Sequence, residues 1–330
     1  MKIITESQVE KYLTIPECIN AMKHVMISVS KGETHLPIRQ FMPINNTQGK
    51  MAIMPGTIPD PFCFGIKLVC KYIREKEIPY GSHVGMVVLF DSEKGIPLAM
   101  IEGASLTSIR TASVSALATD LMSKRKIKSM TIMGCGEQAK RHIYAMLTVR
   151  KTNNIYIWGR NFTKAKIFAK KMESKVNINI TAIENAEEAV KKSDLICTTT
   201  SSSEPILEGK WLQPGTHVNL IGAAIPTSAE VDELVVKNSR FVIDYRPAAM
   251  AAAGEFLRAI KKNIITKDHI AAEIGEIANG SVAGRLDDEE ITVYKSLGVT
   301  AQDLGAAYLL YIKSMEENFG VSVNMMDYEE

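Results

Sequence analysis

The apolar positions of the chain change period twice, and each change predicts a different kind of structure. Near the start, Ile19, Met22, Met26 and Val29 recur at helical intervals. Thr14-Ile15-Pro16-Glu17 ahead of them has capping-box spacing with proline just inside the first turn, and Gly32 after Lys31 supplies a stop. From residue 36 to 102 no helical period fits. Short β-rich runs at 38–42, 51–54, 65–72, 84–91 and 97–101 are separated by Asn, Gly, Pro and Asp, which predicts an antiparallel or mixed sheet. A long helix is predicted over 104–122, with Ala112, Ala116, Leu117 and Leu121 able to share one face.

Beyond Lys124-Arg125-Lys126 the texture changes again. Strand-like runs at 127–133, 155–158, 195–198, 218–221 and 241–245 alternate with helical segments, the pattern of a parallel α/β sheet. A last helix, apolar on one face, is predicted over 299–315. With 330 residues the chain is long for one core, so two domains are expected, and the boundary nearest to visible lies at 124–128.

Composition narrows the class. Hydrophobic residues make up 46% and charged residues 23%, the balance of a soluble globular protein, and a net charge of +2 gives no reason to expect a nucleic-acid surface. The five cysteines, Cys18, Cys63, Cys70, Cys135 and Cys197, are odd in number and form no CxxC pair, so buried reduced thiols are expected. The histidines form no HExxH pair, and no metal site is expected. Residues 1–10 do not read as a secretory leader and no apolar run approaches the roughly 18 residues needed to span a bilayer, so the expected location is cytoplasmic, off the membrane.

The strand-like Met130-Thr131-Ile132-Met133 runs into Gly134-Cys135-Gly136-Glu137-Gln138-Ala139, followed by a helix carrying Ala139, Ile143, Met146 and Leu147 on one face. This is GxGxxA in its required context, strand before and helix after. Gly134 would permit the tight turn, Gly136 would let backbone approach a pyrophosphate, and the helix N-terminus at Glu137 and Gln138 would face the anion. A dinucleotide site is expected. Strand 155–158 ends in Gly159-Arg160-Asn161, with Thr163 and Lys164 beyond and no acidic residue for the ribose hydroxyls of NAD. Arg160 could instead pair with a 2′-phosphate and stack on adenine, so NADPH is expected in preference to NADH.

Other runs make the reading specific. Gly65-Ile66-Lys67-Leu68-Val69, residues 84–91 with Gly95-Ile96-Pro97-Leu98-Ala99, and residues 106–116 around Arg110-Thr111-Ala112 resemble the ornithine cyclodeaminase/mu-crystallin family. So do Ala272-Glu273-Ile274-Gly275-Glu276-Ile277 and Thr292-Val293-Tyr294-Lys295-Ser296-Leu297-Gly298, and together these runs cover nearly the whole chain. The family includes ornithine cyclodeaminases, archaeal-type alanine dehydrogenases, opine-type dehydrogenases and ketimine or pyrroline-2-carboxylate reductases. The resemblance implies an α/β chain in which a Rossmann NAD(P)-binding domain, residues 124–299, is inserted into an α+β domain for substrate binding and dimerisation, residues 1–123 with about 300–330. It also implies a homodimer built through that first domain.

By position in the motifs, Arg39 and Arg110 would bind a substrate carboxylate, which two guanidiniums can grip bidentately. Lys67 matches a catalytic or substrate-binding lysine, able to deliver a proton or stabilise charge at an imine. Ser82-His83 resembles the Ser-His pair of the mu-crystallin branch, making His83 a candidate second proton donor. Contacts to the cofactor are implied for Arg110, Asn161, Thr200, Gly222, Ala223 and Ser296, and by analogy for Ser82 and Thr111.

One departure bears on the reaction. Ornithine cyclodeaminases carry Asp in a GGD-type segment after the fifth strand, with Lys four residues on. Here the run is Gly222-Ala223-Ala224-Ile225-Pro226-Thr227-Ser228, with Ala224 at the Asp position and Ser228 at the Lys position. Alanine can neither transfer a proton nor hold an ammonium. Gly-Ala-x-x-Pro is instead similar to the ketimine reductase branch. The leading expectation is an NADPH-dependent reductase of small cyclic 2-imino acids, Δ1-pyrroline-2-carboxylate or Δ1-piperideine-2-carboxylate, giving proline or pipecolate. The alternatives are alanine or opine-type dehydrogenation, ornithine cyclodeamination with a displaced acid for which Glu230 and Asp232 are nearby, and a mu-crystallin-like ligand-binding protein.

Overall fold

Two stretches far apart in sequence, Met1–Arg110 and Val299–Glu330, build one compact unit, and Thr111–Gly298 builds another. The computed structural model describes residues 1–72, 78, 81 and 83–324. The fold is α/β with one mixed and one parallel sheet.

The first unit contains β1 (Lys2–Ile4), α1 (Glu6–Tyr12), α2 (Ile15–Ser30), β2 (Gln40–Pro43), β3 (Lys50–Ile58), β4 (Cys63–Lys71), β5 (His83–Asp91), β6 (Pro97–Glu102) and the opening of α3 (Gly103–Met122). The returning chain adds α11 (Thr300–Glu316) and β15 (Val321–Ser322). Among the described residues these strands form one sheet in the order β15-β1-β6-β5-β4-β3-β2, antiparallel except for the β1–β6 pair. The alternation expected of a sheet covered on one face is plain in β4, where Cys63, Gly65 and Lys67 are buried and Phe64, Ile66 and Leu68 only partly so. Helix α11 lies on the buried side, close enough that a Cβ at Gly65 would fall 2.8 Å from Leu304.

Several details differ from the sequence expectation. Elements β1 and α1 escape periodicity because they are only 3 and 7 residues long. Thr14 does precede α2, but its hydroxyl donates to the Glu17 carboxylate and caps no backbone amide. Helix α3 has no single apolar face: residues 108–119 are all buried, polar Ser113, Ser115 and Thr119 included. Ser115 Oγ bonds the Thr111 carbonyl at 3.1 Å, as a small hydroxyl can within a helix, and Thr119 Oγ1 accepts from Asn219 Nδ2 at 2.8 Å.

The second unit runs β7 (Met130–Met133), α4 (Glu137–Val149), β8 (Asn154–Trp158), α5 (Phe162–Val176), β9 (Asn179–Ala182), α6 (Ala186–Lys191), β10 (Leu195–Thr198) and β11 (His217–Leu220). It continues with α7 (Glu233–Lys237), β12 (Arg240–Ile243), α8 (Arg246–Ala252), α9 (Gly254–Lys261), β13 (Ile270–Glu273), α10 (Ile274–Ala278) and β14 (Thr292–Lys295). The sheet is wholly parallel, in the order β13-β12-β14-β11-β10-β7-β8-β9. Every residue of β7, β10, β11 and β14 is buried, so these strands show no inside–outside alternation, and in β11 and β14 the polar His217, Asn219, Thr292 and Lys295 are buried with the rest. Counting from β7, the order β9-β8-β7-β10-β11 is the 3-2-1-4-5 arrangement of a Rossmann sheet, and the strand order reverses between β7 and β10.

Candidate active site

The chemistry of the first unit gathers around one buried carboxylate. Lys67 on β4 donates from Nζ to Asp303 Oδ1 at 2.9 Å, and Arg110 donates from Nε to the same oxygen at 2.8 Å. Arg110 Nη1 also donates to Gln302 Oε1 at 2.7 Å. Lys67, Arg110, Gln302 and Asp303 are all buried. Arg39, half-buried, is near enough for its charge to act on Lys67. Two cations, Lys67 and Arg110, on one carboxylate oxygen leave this group with an excess of positive charge, which suits an anionic ligand.

The Lys67 ammonium is brought down to about 8, chiefly by burial, with Asp303 pulling it up and Arg110 and Arg39 pushing it down. Burial alone would raise Asp303, but the charges of Arg110 and Lys67 and their hydrogen bonds hold it below the usual carboxylate range. Asp303 is therefore ionised, and Lys67 sits close to the neutral range where a group can both carry and release a proton. Asp303 Oδ2, also buried, has no hydrogen-bond partner among the described residues.

Arg39, Lys67 and Arg110 are thus brought together, whereas His83 is not in the cluster. His83 opens β5 opposite Lys71, and Val87 is the residue opposite Lys67. Four residues of strand put His83 roughly 13 Å along the sheet from that pair. Ser82 lies outside the described residues.

In the second unit the expected cofactor residues collect at the carboxyl ends of five neighbouring strands. Gly134, Gly136, Glu137 and Gln138 follow β7, Arg160 and Asn161 follow β8, Thr200 follows β10, Gly222 and Ala223 follow β11, and Ser296 follows β14. That edge is where open parallel sheets bind ligands, at the reversal of strand order. Gly134 has φ 128°, and its amide donates to the Trp158 carbonyl at 2.8 Å. A Cβ there would fall 2.6 Å from Thr199 Oγ1, so both conformation and space require glycine. Gly136, which N-caps α4, has nothing within 4 Å of a Cβ position. A cradle open at this point, in front of the α4 amides, fits a pyrophosphate. Arg160 is exposed, and Asn161 caps α5 by accepting from the Lys164 amide at 2.9 Å. Thr111, on α3, is not part of this row and gives its carbonyl to Ser115.

Two residues of the cluster escape a reading of the sequence, whereas the two candidate displaced acids are already engaged in other bonds. Asp303 and Gln302 sit in what reads as an ordinary apolar helix, 236 and 192 residues from their partners Lys67 and Arg110. Glu230, a candidate displaced acid, is fully buried and accepts from Thr198, Thr200 and Gly222. Asp232 caps α7 through the Val235 amide at 3.1 Å and accepts from the Gly209 amide at 2.9 Å. Both acids are committed to the fold. Among the described residues no group of three or more His, Cys, Asp or Glu is placed to hold a metal, and no helix is long and apolar enough to cross a membrane.

The glycine-rich turn, the Rossmann strand order and the row of strand-end residues define the class as a dinucleotide-dependent α/β protein. Residues 1–318 match the ornithine cyclodeaminase/mu-crystallin family. A Delta(1)-pyrroline-2-carboxylate reductase of Bacillus cereus (strain ZK / E33L) is 33% identical over 321 residues, 97% of this chain and 98% of that protein. The structure of Thermococcus litoralis Delta(1)-pyrroline-2-carboxylate reductase in complex with NADH and L-proline is similar with a TM-score of 0.93 at 30% identity, covering 98% of this chain and 100% of that one. An archaeal alanine dehydrogenase dimer with bound NAD is similar with a TM-score of 0.91 at 27% identity, over 99% of both chains. The chain belongs to the ornithine cyclodeaminase/mu-crystallin family, as an NAD(P)-dependent oxidoreductase.

Proposed function

We propose that the protein reduces small cyclic 2-imino acids, Δ1-pyrroline-2-carboxylate or Δ1-piperideine-2-carboxylate, to proline or pipecolate, with NADPH preferred over NADH. The observation that carries this reading is the Lys67–Asp303–Arg110 cluster, in which a buried lysine brought to about 8 shares one carboxylate oxygen with a guanidinium. A cyclic imino acid presents the complementary pair, a carboxylate and a basic ring nitrogen.

Arg110 and Arg39 hold the carboxylate, which fixes the ring in register. Asp303 locks the Arg110 Nε edge and so aims the guanidinium. Lys67 delivers a proton to the ring nitrogen, making the neighbouring carbon more electrophilic. The reduced nicotinamide, when bound by the second unit, supplies the hydride which that carbon receives. Gly134, Gly136, Glu137 and Gln138 hold the pyrophosphate. Arg160 takes the 2′-phosphate, and its exposed position after β8 supports a preference for NADPH. The pairing of Δ1-pyrroline-2-carboxylate reduction with the relatives named above supports the substrate class. Ala224 at the Asp position, with Glu230 and Asp232 both engaged by donors of the fold, speaks against cyclodeamination.

The face of the first sheet opposite Lys67 supports a homodimer. Ile66, Leu68, Val88 and Met100 are only partly buried there, Met86 is exposed, and cross-strand pairing makes them one continuous apolar surface. A second copy of the chain would cover it, as an apolar sheet face of this extent needs. The test of the activity is oxidation of NADPH by the pure protein with Δ1-pyrroline-2-carboxylate, run beside Δ1-piperideine-2-carboxylate and pyruvate with ammonia.

A further inference from the structure

Within the second unit a set of buried charges lies behind the loops that follow β10 and β11, and the reading above leaves it without a role. Glu230 is at 0% exposure. Its Oε1 accepts from the Thr200 amide and hydroxyl, both at 2.7 Å, and its Oε2 accepts from Thr198 Oγ1 at 2.7 Å and the Gly222 amide at 2.6 Å. One carboxylate therefore ties together the end of β10 and the starts of two loops that the sheet sets side by side. The loops abut closely: a Cβ at Gly222 would fall 1.9 Å from the Thr200 carbonyl oxygen.

A second layer holds the first. The Glu230 amide donates to Glu255 Oε1 at 3.1 Å, and Lys295 Nζ lies 3.1 Å from Glu255 Oε2. Lys295 also donates to the carbonyl of Ala223, the residue after Gly222. Burial pushes the Glu230 carboxyl up, opposed by the Lys295 charge and the threonine hydrogen bonds. Four converging donors nonetheless require an acceptor on both oxygens, which the carboxylate supplies and an amide cannot.

A Rossmann sheet binds its dinucleotide as two mononucleotide halves, the pyrophosphate crossing at the reversal of strand order. Here the β7–β9 half carries the adenosine side, so the β10 and β11 loops face the nicotinamide side. We propose that Glu230 is a positioning residue for the nicotinamide half of the cofactor site: it sets Thr200, Gly222 and Ala223 through its hydrogen bonds without touching the cofactor. The proposal rests on the cofactor placement given above.

The test compares NADH with ADP-ribose, which lacks the nicotinamide, by titration calorimetry on the full-length protein. Wild type should bind NADH more tightly than ADP-ribose. Glu230→Gln turns an NH2 group towards either the Thr200 or the Gly222 amide, donor against donor, and should weaken NADH about 10-fold or more while leaving ADP-ribose within about 2-fold. Thr198→Val removes a single donor at nearly constant shape and should weaken NADH by about 3-fold, again sparing ADP-ribose. Thermal melts show whether each variant is folded. If Glu230→Gln does not fold, Thr198→Val decides alone. Unchanged NADH affinity, or equal weakening of both ligands, overturns the proposal. Wild type that binds NADH no more tightly than ADP-ribose overturns the cofactor placement itself, and the proposal with it.

Discussion

Lys67 and Asp303 are joined across 236 residues of sequence by a 2.9 Å ion pair in which both side chains are buried. Asp303 raises the proton affinity of Lys67, whereas burial and the neighbouring Arg110 and Arg39 lower it. The balance near 8 is what allows Lys67 to act as an acid in neutral solution. If the protonated lysine is the active form, turnover falls as pH rises through that value. Asp303→Asn removes the anion that favours protonation, so the alkaline limb of the pH–kcat profile should move to lower pH. An unmoved limb would assign it to another group. Leaving the two cations unpaired also costs stability, roughly 3–5 kcal/mol for a broken buried pair, which a denaturant melt would register.

Lys67→Ala should cut kcat by at least about 100-fold, the usual worth of a positioned proton donor, with affinity for the dinucleotide retained. Single-turnover measurement with saturating cofactor separates the two effects. Near-normal turnover would remove Lys67 from the chemistry.

The two glycines of the turn should fail differently. Gly134→Ala places a Cβ 2.6 Å from Thr199 Oγ1 on a backbone with φ 128°, so it should lower the melting midpoint, at a cost of roughly 1–3 kcal/mol for strain alone. Gly136→Ala meets nothing within 4 Å in the protein and should melt like wild type. It should nevertheless weaken the dinucleotide, because the added methyl occupies the approach of the pyrophosphate. Equal affinity in Gly136→Ala and wild type would move the pyrophosphate elsewhere.

Arg160→Ala should reduce kcat/KM for NADPH by about 10-fold or more and change that for NADH little, the expected worth of a charge-assisted phosphate contact. Parallel losses with both cofactors would deny Arg160 a role in choosing between them.

Acid should unfold the second unit by way of its buried histidines. Burial pushes His142 down to about 4, and burial with the nearby Arg285 charge pushes His217 down to about 3. The unfolded chain binds these protons at about 6.5, before the folded one does. Stability is therefore complete above that pH and is lost as pH falls towards the folded values, by roughly 1.4 kcal/mol per pH unit for each histidine. Urea midpoints at a series of pH values measure the slope, and His142→Asn should reduce it.

What could be read in advance follows from how local each signal is. The Gly134-Cys135-Gly136 turn was legible because strand, turn and helix are contiguous and each glycine has a local steric reason. Lys67 and Arg110 were legible only through resemblance, since a charged residue on a strand or helix otherwise reads as surface. Asp303 was not legible at all. It lies in the first turn of an apolar helix, where an acid is favourable for the helix dipole alone, and its partners arrive from β4 and α3. Glu230 drew notice as a possible proton carrier, and its four donors show it holding loops instead. The full burial of α3 is not legible because serine and threonine count as polar in any pattern, although Ser115 bonds the Thr111 carbonyl and Thr119 accepts from Asn219.

The central claim, imine reduction by a cofactor-bound enzyme, is tested most directly by the fall in NADPH absorbance on adding Δ1-pyrroline-2-carboxylate, with L-proline identified as the product. The account predicts rapid oxidation that depends on the imino acid and exceeds that with pyruvate and ammonia, with no ammonia released from ornithine and NAD. Tight NADPH binding without turnover of any of these substrates, or release of ammonia from ornithine, would contradict it.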